Sequence, residues 1–425
     1  MRHFAYTLAS LVCASSMWFY VQHVMIAQQV SEAVQHNIPR GNLSDLYPRW
    51  LGARELLLHH RDPYGLEVTR EIQQGYYGRA IDPARPFDPS DWQAFAYPVY
   101  VSFLLAPTLS LPFALVQTAF RWLLLALTAA SVPLWFRILR WRTSVWTLAT
   151  AVILVLGSFQ VIQGIKLQQL TLLVSGLIVI SLLLLTEGHL FSAGVLLALA
   201  SIKPQLALPL SSWLLIWAYS DWKARRSYVC SFLGTLALLI LAGELVLPGW
   251  IARFWRALIE YRRYNNGAAS ALELVFTPLV GRVLAGVVIA GIAVICWRLR
   301  NASADTAAFH WMSAVVLAAT IVIMPKAAPY NHVLLVSAVF MVLQRWPLLW
   351  KTGAATRLSL GIAALIVMWP WLAAVAIVIA SLFITPSAVL ELWTVPLYTS
   401  LLIPLAVLAV AGFARGGALP SRGAE

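Results

Sequence analysis

Stretches of about 20 apolar residues follow one another along this chain, and they constrain its fold more than any other feature. A helix of that length crosses a bilayer, and backbone polar groups in lipid must be satisfied within the segment itself. We therefore predict an all-α, polytopic integral membrane protein with about 11–13 transmembrane helices. The predicted spans are 4–30, about 97–118, 119–137, 145–163, 170–186, 190–219, 228–247, 276–297, 309–324, 330–346, 358–384 and 392–413.

The composition excludes an ordinary soluble domain. Hydrophobic residues make up 60% of the chain and charged residues 11%, against about 25% charged in typical globular domains. The net charge of +13 comes from arginines spread through the loops, with no basic stripe or nucleic-acid motif. We therefore expect membrane lipids with anionic headgroups as partners, and no nucleic acid.

The positions of the basic residues predict the orientation. Cytoplasmic loops carry an excess of lysine and arginine, so we place five clusters in the cytoplasm. These are Arg137/Arg140/Arg142, Lys223/Arg225/Arg226, Arg298/Arg300, Arg345/Lys351 and Arg415/Arg422. This scheme makes 97–112 a re-entrant or interfacial arm, and it breaks 190–219 into two short helices at Lys203-Pro204.

The same scheme divides the chain into regions. We predict a first transmembrane helix (1–30), a structured periplasmic loop (31–96), a transmembrane bundle (97–413) with a second periplasmic loop (248–275), and a cytoplasmic tail (414–425). The second loop has four arginines, although the rule that cytoplasmic loops carry the excess of basic residues would place few of them in a periplasmic loop. Its aromatic residues, among them Trp250 and Phe254, follow the pattern of an interfacial helix.

The first loop contains the best candidate for a catalytic carboxylate, Asp45. Directly after it, Leu46, Trp50, Ala53 and Leu57 recur at helical spacing, which predicts an amphipathic helix on the membrane surface. A structural alternative is that Ser44 or Asp45 simply caps this helix.

Polar residues at the membrane edge are functional candidates because burying them is costly. In our topology they share the outer side with Asp45: Lys166, Gln168, Gln169, Lys203, Gln205, Lys326, Tyr330, Asn331 and His332. Cations gathered near one carboxylate suit an anionic headgroup, such as the phosphate of a lipid carrier. The alternatives are lysines that snorkel to the interface and a histidine that is merely hydrogen-bonded.

Several motifs in order along the chain resemble glycosyltransferase family 87. They are Asp45 with Tyr47, Ala53-Arg54, Asp62-Pro63-Tyr64, Phe95-Ala96-Tyr97-Pro98, Leu104-Leu105-Ala106-Pro107, Gln169-Leu170-Thr171, Ile202-Lys203-Pro204-Gln205 and Tyr330-Asn331-His332. Members of this family belong to the GT-C superfamily. They are integral-membrane enzymes that use polyprenyl-phosphate sugars, and they include mannosyltransferases of phosphatidylinositol mannoside synthesis.

The resemblance implies an inverting glycosyltransferase of the bacterial inner (cytoplasmic) membrane, with its active site facing the periplasm. It implies Asp45 as the general base and Gln169, Lys203 and His332 in the donor pocket. We add Lys166, Lys326, Tyr330, Asn331 and Gln205 as donor or phosphate contacts, and Tyr47, Arg54, Asp62, Tyr64 and Tyr97 as acceptor or loop-shaping residues. Gln168 replaces a usual glycine and Asn331 a second histidine, which leaves the local donor contacts and the sugar open.

The expected partners are a polyprenyl-phosphate sugar and a lipid or glycan acceptor, and no cofactor is expected. Three acidic loop residues, Asp82, Asp88 and Asp91, leave room for a metal without supporting one. The alternative functions are a lipid or saccharide transporter or flippase, for which an internal repeat would be expected, and a structural assembly factor. The sequence shows no such repeat.

Overall fold

The computed structural model describes residues 2–42, 44–82, 84–85, 88–89, 91–264 and 269–414. Throughout this part of the chain the regular structure is helical and no strand occurs. The predicted class, an all-α polytopic membrane protein, is confirmed. The predicted tail falls outside the described residues, apart from Ala414.

The α-helices carry the labels α1 to α20 in chain order. The first ten are α1 (Arg2–Phe19), α2 (Ile26–Gln35), α3 (Tyr47–His59), α4 (Leu66–Tyr77), α5 (Val101–Leu105), α6 (Phe113–Ile138), α7 (Val145–Leu156), α8 (Phe159–Lys166), α9 (Leu170–Thr186) and α10 (Leu190–Ala200). The others are α11 (Pro204–Tyr219), α12 (Trp222–Val246), α13 (Trp250–Tyr264), α14 (Ala271–Val275), α15 (Pro278–Leu299), α16 (Ala307–Ile323), α17 (Val336–Leu349), α18 (Ala354–Ala380), α19 (Pro386–Glu391) and α20 (Leu402–Phe413). A π-helical turn (Tyr20–Met25) joins α1 to α2, and 3₁₀ segments cover Ala106–Thr108, Pro329–Leu335 and Leu392–Leu397.

Seven helical segments among the described residues are long and apolar enough to cross a membrane, or eight if the bent pair α7 and α8 is one span. The seven are Phe4–Gln35, Phe113–Ile138, Trp222–Val246, Pro278–Leu299, Pro329–Leu349, Ala354–Ala380 and Pro386–Phe413. Three shorter apolar helices, α9, α10 and α16, pack among them. The predicted boundary at 118/119 is wrong, because one helix begins after Pro112 and runs to Ile138.

The break predicted at Lys203-Pro204 is present. Helix α10 ends at Ala200 and α11 begins at Pro204, with Lys203 as its N-cap residue. Proline suits the first helical position because its missing N–H has no partner to lose there. The break therefore presents Lys203 at a turn between two helices rather than within one.

Four of the five basic clusters meet at one end of the bundle. Arg225 donates to the carbonyl oxygens of Arg300 and Ala302, and Arg140 pairs with Asp305 at 3.4 Å. Gln344, next to the Arg345 cluster, donates to the Leu139 carbonyl at 2.9 Å. The fifth cluster, Arg415/Arg422, lies outside the described residues. We refer to this end as the basic end.

Helix α9 lies at the centre of the main core. It is buried on almost every side and packs against α6, α10 and the 3₁₀ segment Pro329–Leu335. A helix that is apolar all round has no lipid-facing or solvent-facing stripe, so it belongs in the interior. Its first turn therefore provides a rigid platform for Gln169 and Thr171.

The helix predicted after Asp45 exists as α3, but protein encloses it. Trp50, Ala53 and Leu56 are buried, and α3 packs against α4 and α5. The surface interpretation is therefore wrong for most of its length. The capping interpretation is also wrong, because the N-cap residue is Leu46 and neither Ser44 nor Asp45 caps the helix.

Candidate active site

Asp45 lies immediately before α3 and is held against the start of α9. Its backbone N–H donates to the Leu167 carbonyl at 2.9 Å, and its side-chain Oδ2 accepts a hydrogen bond from Gln169 Nε2. Leu167 and Gln169 belong to the tight connection between α8 and α9, where Gln168 adopts a positive φ of 49°. The backbone and the carboxylate of Asp45 are thus both fixed by one turn.

The orientation of the Gln169 amide follows from the chemistry of its neighbour. Lys203 Nζ lies 3.4 Å from Gln169 Oε1, and an ammonium group can only donate. The amide oxygen therefore faces Lys203 and the NH₂ group faces Asp45. Gln169 links the carboxylate to a buried cation without a direct ion pair.

Lys203 continues this chain of hydrogen bonds toward the 3₁₀ segment Pro329–Leu335. It donates to Thr171 Oγ1, and Thr171 donates to Asn331 Oδ1 at 2.8 Å. The Tyr330 ring lies 5.1 Å from the ammonium, within cation–π range. We call the five residues Asp45, Gln169, Lys203, Thr171 and Asn331 the polar chain.

Arg49 is a site residue for which the sequence reasoning assigned no role. It lies one turn after Asp45, donates to the Asp45 backbone carbonyl and covers the Tyr97 ring at 4.5 Å. Its Nε is buried without a hydrogen-bond partner among the described residues. The spacing of four residues on a helix was the available signal. Arg49 brings a second cation to the carboxylate.

Tyr97 and Tyr64 connect this region to the rest of the first loop. Tyr64 Oη donates to the Tyr97 carbonyl at 2.6 Å, and its backbone N–H donates to Asp62 Oδ1 at 3.0 Å. Asp62 in turn forms an ion pair with Arg253 of α13. These residues shape the loop and attach it to α13.

Lys326 forms a third cationic position at the same end. It donates to Tyr261 Oη and lies 3.6 Å from Asp91 Oδ1, so it joins α13 to the first loop. Its backbone adopts a positive φ of 63° in the connection before Pro329. Lys326 and Asp91 are close enough to Asp45 to influence its ionisation.

Burial raises the pKa of the Asp45 carboxyl above its ordinary value, and the nearby charges of Arg49, Lys326 and Lys203 offset part of that effect. Asp91 acts in the opposite sense, because a second carboxylate disfavours ionisation. A carboxylate with a raised pKa is a stronger base than an exposed aspartate. This is the property that a general base needs.

His332 is buried beside the polar chain, on the same 3₁₀ segment as Asn331. Its Nδ1 has no hydrogen-bond partner among the described residues. Leaving a buried polar atom unpaired costs about 1–3 kcal/mol. A bound ligand that pairs with Nδ1 would recover that cost.

Two residues predicted for the donor site, Gln205 and Lys166, have other positions, and so has the membrane-edge candidate Gln168. Gln205 is exposed on α11. Lys166 donates to Gln22 in the π-helical turn and lies 5.2 Å from the Trp18 ring. Gln168 accepts from Gln117 at 3.1 Å. Lys166 and Gln168 thus contact neighbouring helices, and among the described residues none of the three side chains hydrogen-bonds to the polar chain.

Two loop residues have packing roles. Tyr47 contacts Phe113 edge to face, with the ring centroids 4.9 Å apart, and Arg54 covers the Trp50 ring at 5.5 Å. Of the acidic loop residues, Asp88 is paired with Arg79. In the described part of the chain, no group of three histidine, cysteine, aspartate or glutamate residues could hold a metal ion.

The fold and the site together define a class of protein. It is a polytopic membrane protein with a polar site at one end of its helical bundle, where cations lie near a carboxylate. The model of glycosyltransferase family 87 matches residues 95–325, more than half of the chain, and the chain belongs to this family. It is therefore a membrane glycosyltransferase. Gln169, Thr171 and Lys203 lie within the match, whereas Asp45 precedes it and Asn331 follows it. Comparisons with curated proteins and with solved structures gave no match.

Proposed function

We propose that this protein transfers a sugar from a polyprenyl-phosphate donor to a hydroxyl group of a lipid or glycan acceptor, with inversion at the anomeric carbon, on the periplasmic side of the bacterial inner membrane. The polar chain is the observation that carries the proposal. It holds the Asp45 carboxylate, whose pKa burial raises, close to the buried cation Lys203, at the end of the bundle opposite the basic end. This transfer requires a base that deprotonates the acceptor hydroxyl group and a site that binds the donor phosphate.

Asp45 is the general base in this reaction. Gln169 donates a hydrogen bond to Oδ2 of Asp45. This bond orients the carboxylate so that its other oxygen, Oδ1, can accept a proton. The acceptor hydroxyl oxygen attacks the anomeric carbon and its proton goes to Asp45. The bond between the anomeric carbon and the phosphate oxygen breaks, and the polyprenyl phosphate leaves with the electron pair.

The cations stabilise the charge on the departing phosphate. Among the described residues, Lys203 uses two of its three N–H groups, on Gln169 and Thr171, so one remains for a phosphate oxygen. Arg49 brings a guanidinium, and His332 an unpaired ring nitrogen. Donors fixed before the reaction stabilise developing charge without reorganisation.

The discriminating experiment is transfer by the purified protein from labelled polyprenyl-phosphate mannose, arabinofuranose and glucose to a panel of lipid acceptors. Asp45→Asn should lower transfer by about 10²- to 10⁴-fold, the usual contribution of a general base. Donor binding, measured by equilibrium retention of the labelled donor, should persist.

Asp305→Asn is the matched control, since Asp305 is a carboxylate at the basic end, paired with Arg140. It should retain wild-type transfer. Full turnover by Asp45→Asn would remove Asp45 from the role of base. Vectorial movement of the donor across vesicles without transfer to any acceptor would indicate a flippase instead.

A further inference from the structure

A groove opens at the basic end where α11, α12 and α15 meet. It encloses about 540 Å³, and its walls are mostly apolar, formed by Leu215, Ile216, Val229 and Leu233. Tyr219, Trp297 and Arg300 line the same groove. Because these three residues lie at or next to the helix ends, the polar part of the groove is at the basic end and the apolar part runs toward the middle of the bundle.

A partly buried network of hydrogen bonds joins the helices that line this groove. Arg225 donates to the carbonyl oxygens of Trp217, Arg300 and Ala302 and covers the Trp217 ring at 4.1 Å. These bonds tie the turn between α11 and α12 to the end of α15. The helix ends on either side of the groove are therefore joined by hydrogen bonds.

Arg300 supplies the charge inside the groove. Within the described part of the chain its guanidinium donates one hydrogen bond, from Nη1 to the Trp297 carbonyl at 2.5 Å, and lies 4.2 Å from the Trp297 ring. A guanidinium has five N–H donors, so several remain for an oxyanion. The acidic residue of the adjacent turn, Asp221, caps α12 through the Ala224 N–H.

The surroundings indicate which oxyanion fits. Tyr219, Trp222 and Trp297 are exposed, as aromatic residues at a membrane–water interface commonly are, and Lys223 and Arg226 add charge. Basic pockets between transmembrane helices bind anionic lipid headgroups. The apolar wall of the cleft suits the acyl chain of such a lipid, and the cation at its end suits the anionic headgroup.

We infer that this groove binds an anionic phospholipid, with an acyl chain along the apolar wall and the headgroup phosphate on Arg300. The site is separate from the polar chain. Lys203 and Tyr219 are at opposite ends of α11, about 24 Å apart at 1.5 Å per residue. The inference therefore does not depend on the proposed reaction.

Native mass spectrometry of the purified protein tests the inference directly. The protein is titrated with phosphatidylglycerol, with phosphatidylethanolamine of the same chain length, and with glycerol phosphate. The wild type should retain phosphatidylglycerol more strongly than phosphatidylethanolamine, and Arg300→Gln should weaken that retention about fivefold, the effect of one basic residue at a membrane surface.

Arg298→Gln is the matched control, because it removes the same charge from an exposed residue outside the groove. It should leave the preference unchanged. Leu233→Trp, which fills the apolar wall, should also reduce retention while the melting temperature stays near that of the wild type. Equal weakening by Arg298→Gln and Arg300→Gln, no preference for the anionic lipid, or equally strong binding of glycerol phosphate would each overturn the assignment.

Discussion

The ammonium of Lys203 lies 3.4 Å from the side-chain oxygen of Gln169 and is separated from the Asp45 carboxylate by that single amide. A direct ion pair would stabilise the ionised carboxylate and weaken it as a base. The intervening amide keeps the Lys203 ammonium near the carboxylate while using only one of its three N–H groups. The other two N–H groups can bind Thr171 and a ligand.

Replacing Lys203 by methionine should lower kcat/KM for transfer by about 10²- to 10³-fold, the cost of removing one donor that stabilises developing charge. The reason is that Lys203 binds the Gln169 amide oxygen and, in the proposed reaction, faces the departing phosphate. Steady-state kinetics with the labelled donor measure the effect. Lys351→Met, which removes an exposed lysine at the basic end, is the control. A variant of Lys203 that melts earlier but keeps its kcat/KM would show a purely structural role.

The wild-type rate should depend on pH through Asp45. The active form is the carboxylate, so kcat/KM should rise with pH up to the pKa of Asp45 and level off above it. Since burial raises that pKa, the midpoint should lie above the ordinary aspartate value of about 3.9. A pH profile of kcat/KM, with circular dichroism to confirm folding, gives the midpoint. An acid limb at or below the ordinary value would contradict the assignment.

Gln169→Glu should move this acid limb to higher pH. The substitution places a second carboxylate against Asp45, and like charges disfavour ionisation. More of the enzyme then carries a protonated Asp45 at any given pH, so the midpoint of the acid limb moves to higher pH. Part of the activity on the alkaline plateau should remain. Gln117→Glu, which changes an amide that contacts Gln168 instead, should leave the limb in place. An unshifted profile in Gln169→Glu would show that the amide does not contact the base in solution.

His332→Phe should separate stability from function. The substitution removes a buried nitrogen that has no partner among the described residues, so the melting temperature should not fall. Transfer should decrease and KM for the donor should rise, because the ligand loses a hydrogen-bond partner. Thermal unfolding and donor-dependent kinetics measure the two effects. A lower melting temperature with unchanged KM would indicate a packing residue.

Much of the fold was accessible from the sequence because membrane helices have a simple physical signature. Apolar length predicted a polytopic helical protein, and Pro204 predicted the break that places the buried Lys203 at a turn. The described residues hold seven helical segments long enough to cross a membrane, or eight with the bent pair, and not the 11–13 predicted. The placement of Asp45, Gln169 and Lys203 at one end also followed from counting crossings. The catalytic and binding roles of these residues stay predictions.

The contacts between helices were less accessible, since hydrophobic periodicity does not say which faces meet. Gln205 lies two residues after Lys203, about 200° around the helix, and so points away from the polar chain. Lys166 ends α8, which is bent by 56° from α7, and it meets Gln22 instead. The position of Arg49 over the Tyr97 ring was missed because it depends on how α3 packs.

The members of the polar chain are synthesised at widely separated times. It joins Asp45 near the amino terminus to Gln169, Lys203 and finally Asn331, and Asn331 lies 160 residues beyond Thr171. Because chains emerge from the ribosome amino terminus first, Asp45 enters the membrane system long before its last partner is made. In the proposed mechanism the new chain therefore becomes active only after the segment around residue 331 has been inserted. Until then, the Asp45 carboxylate belongs to a hydrogen-bonded chain whose last member has not yet been made.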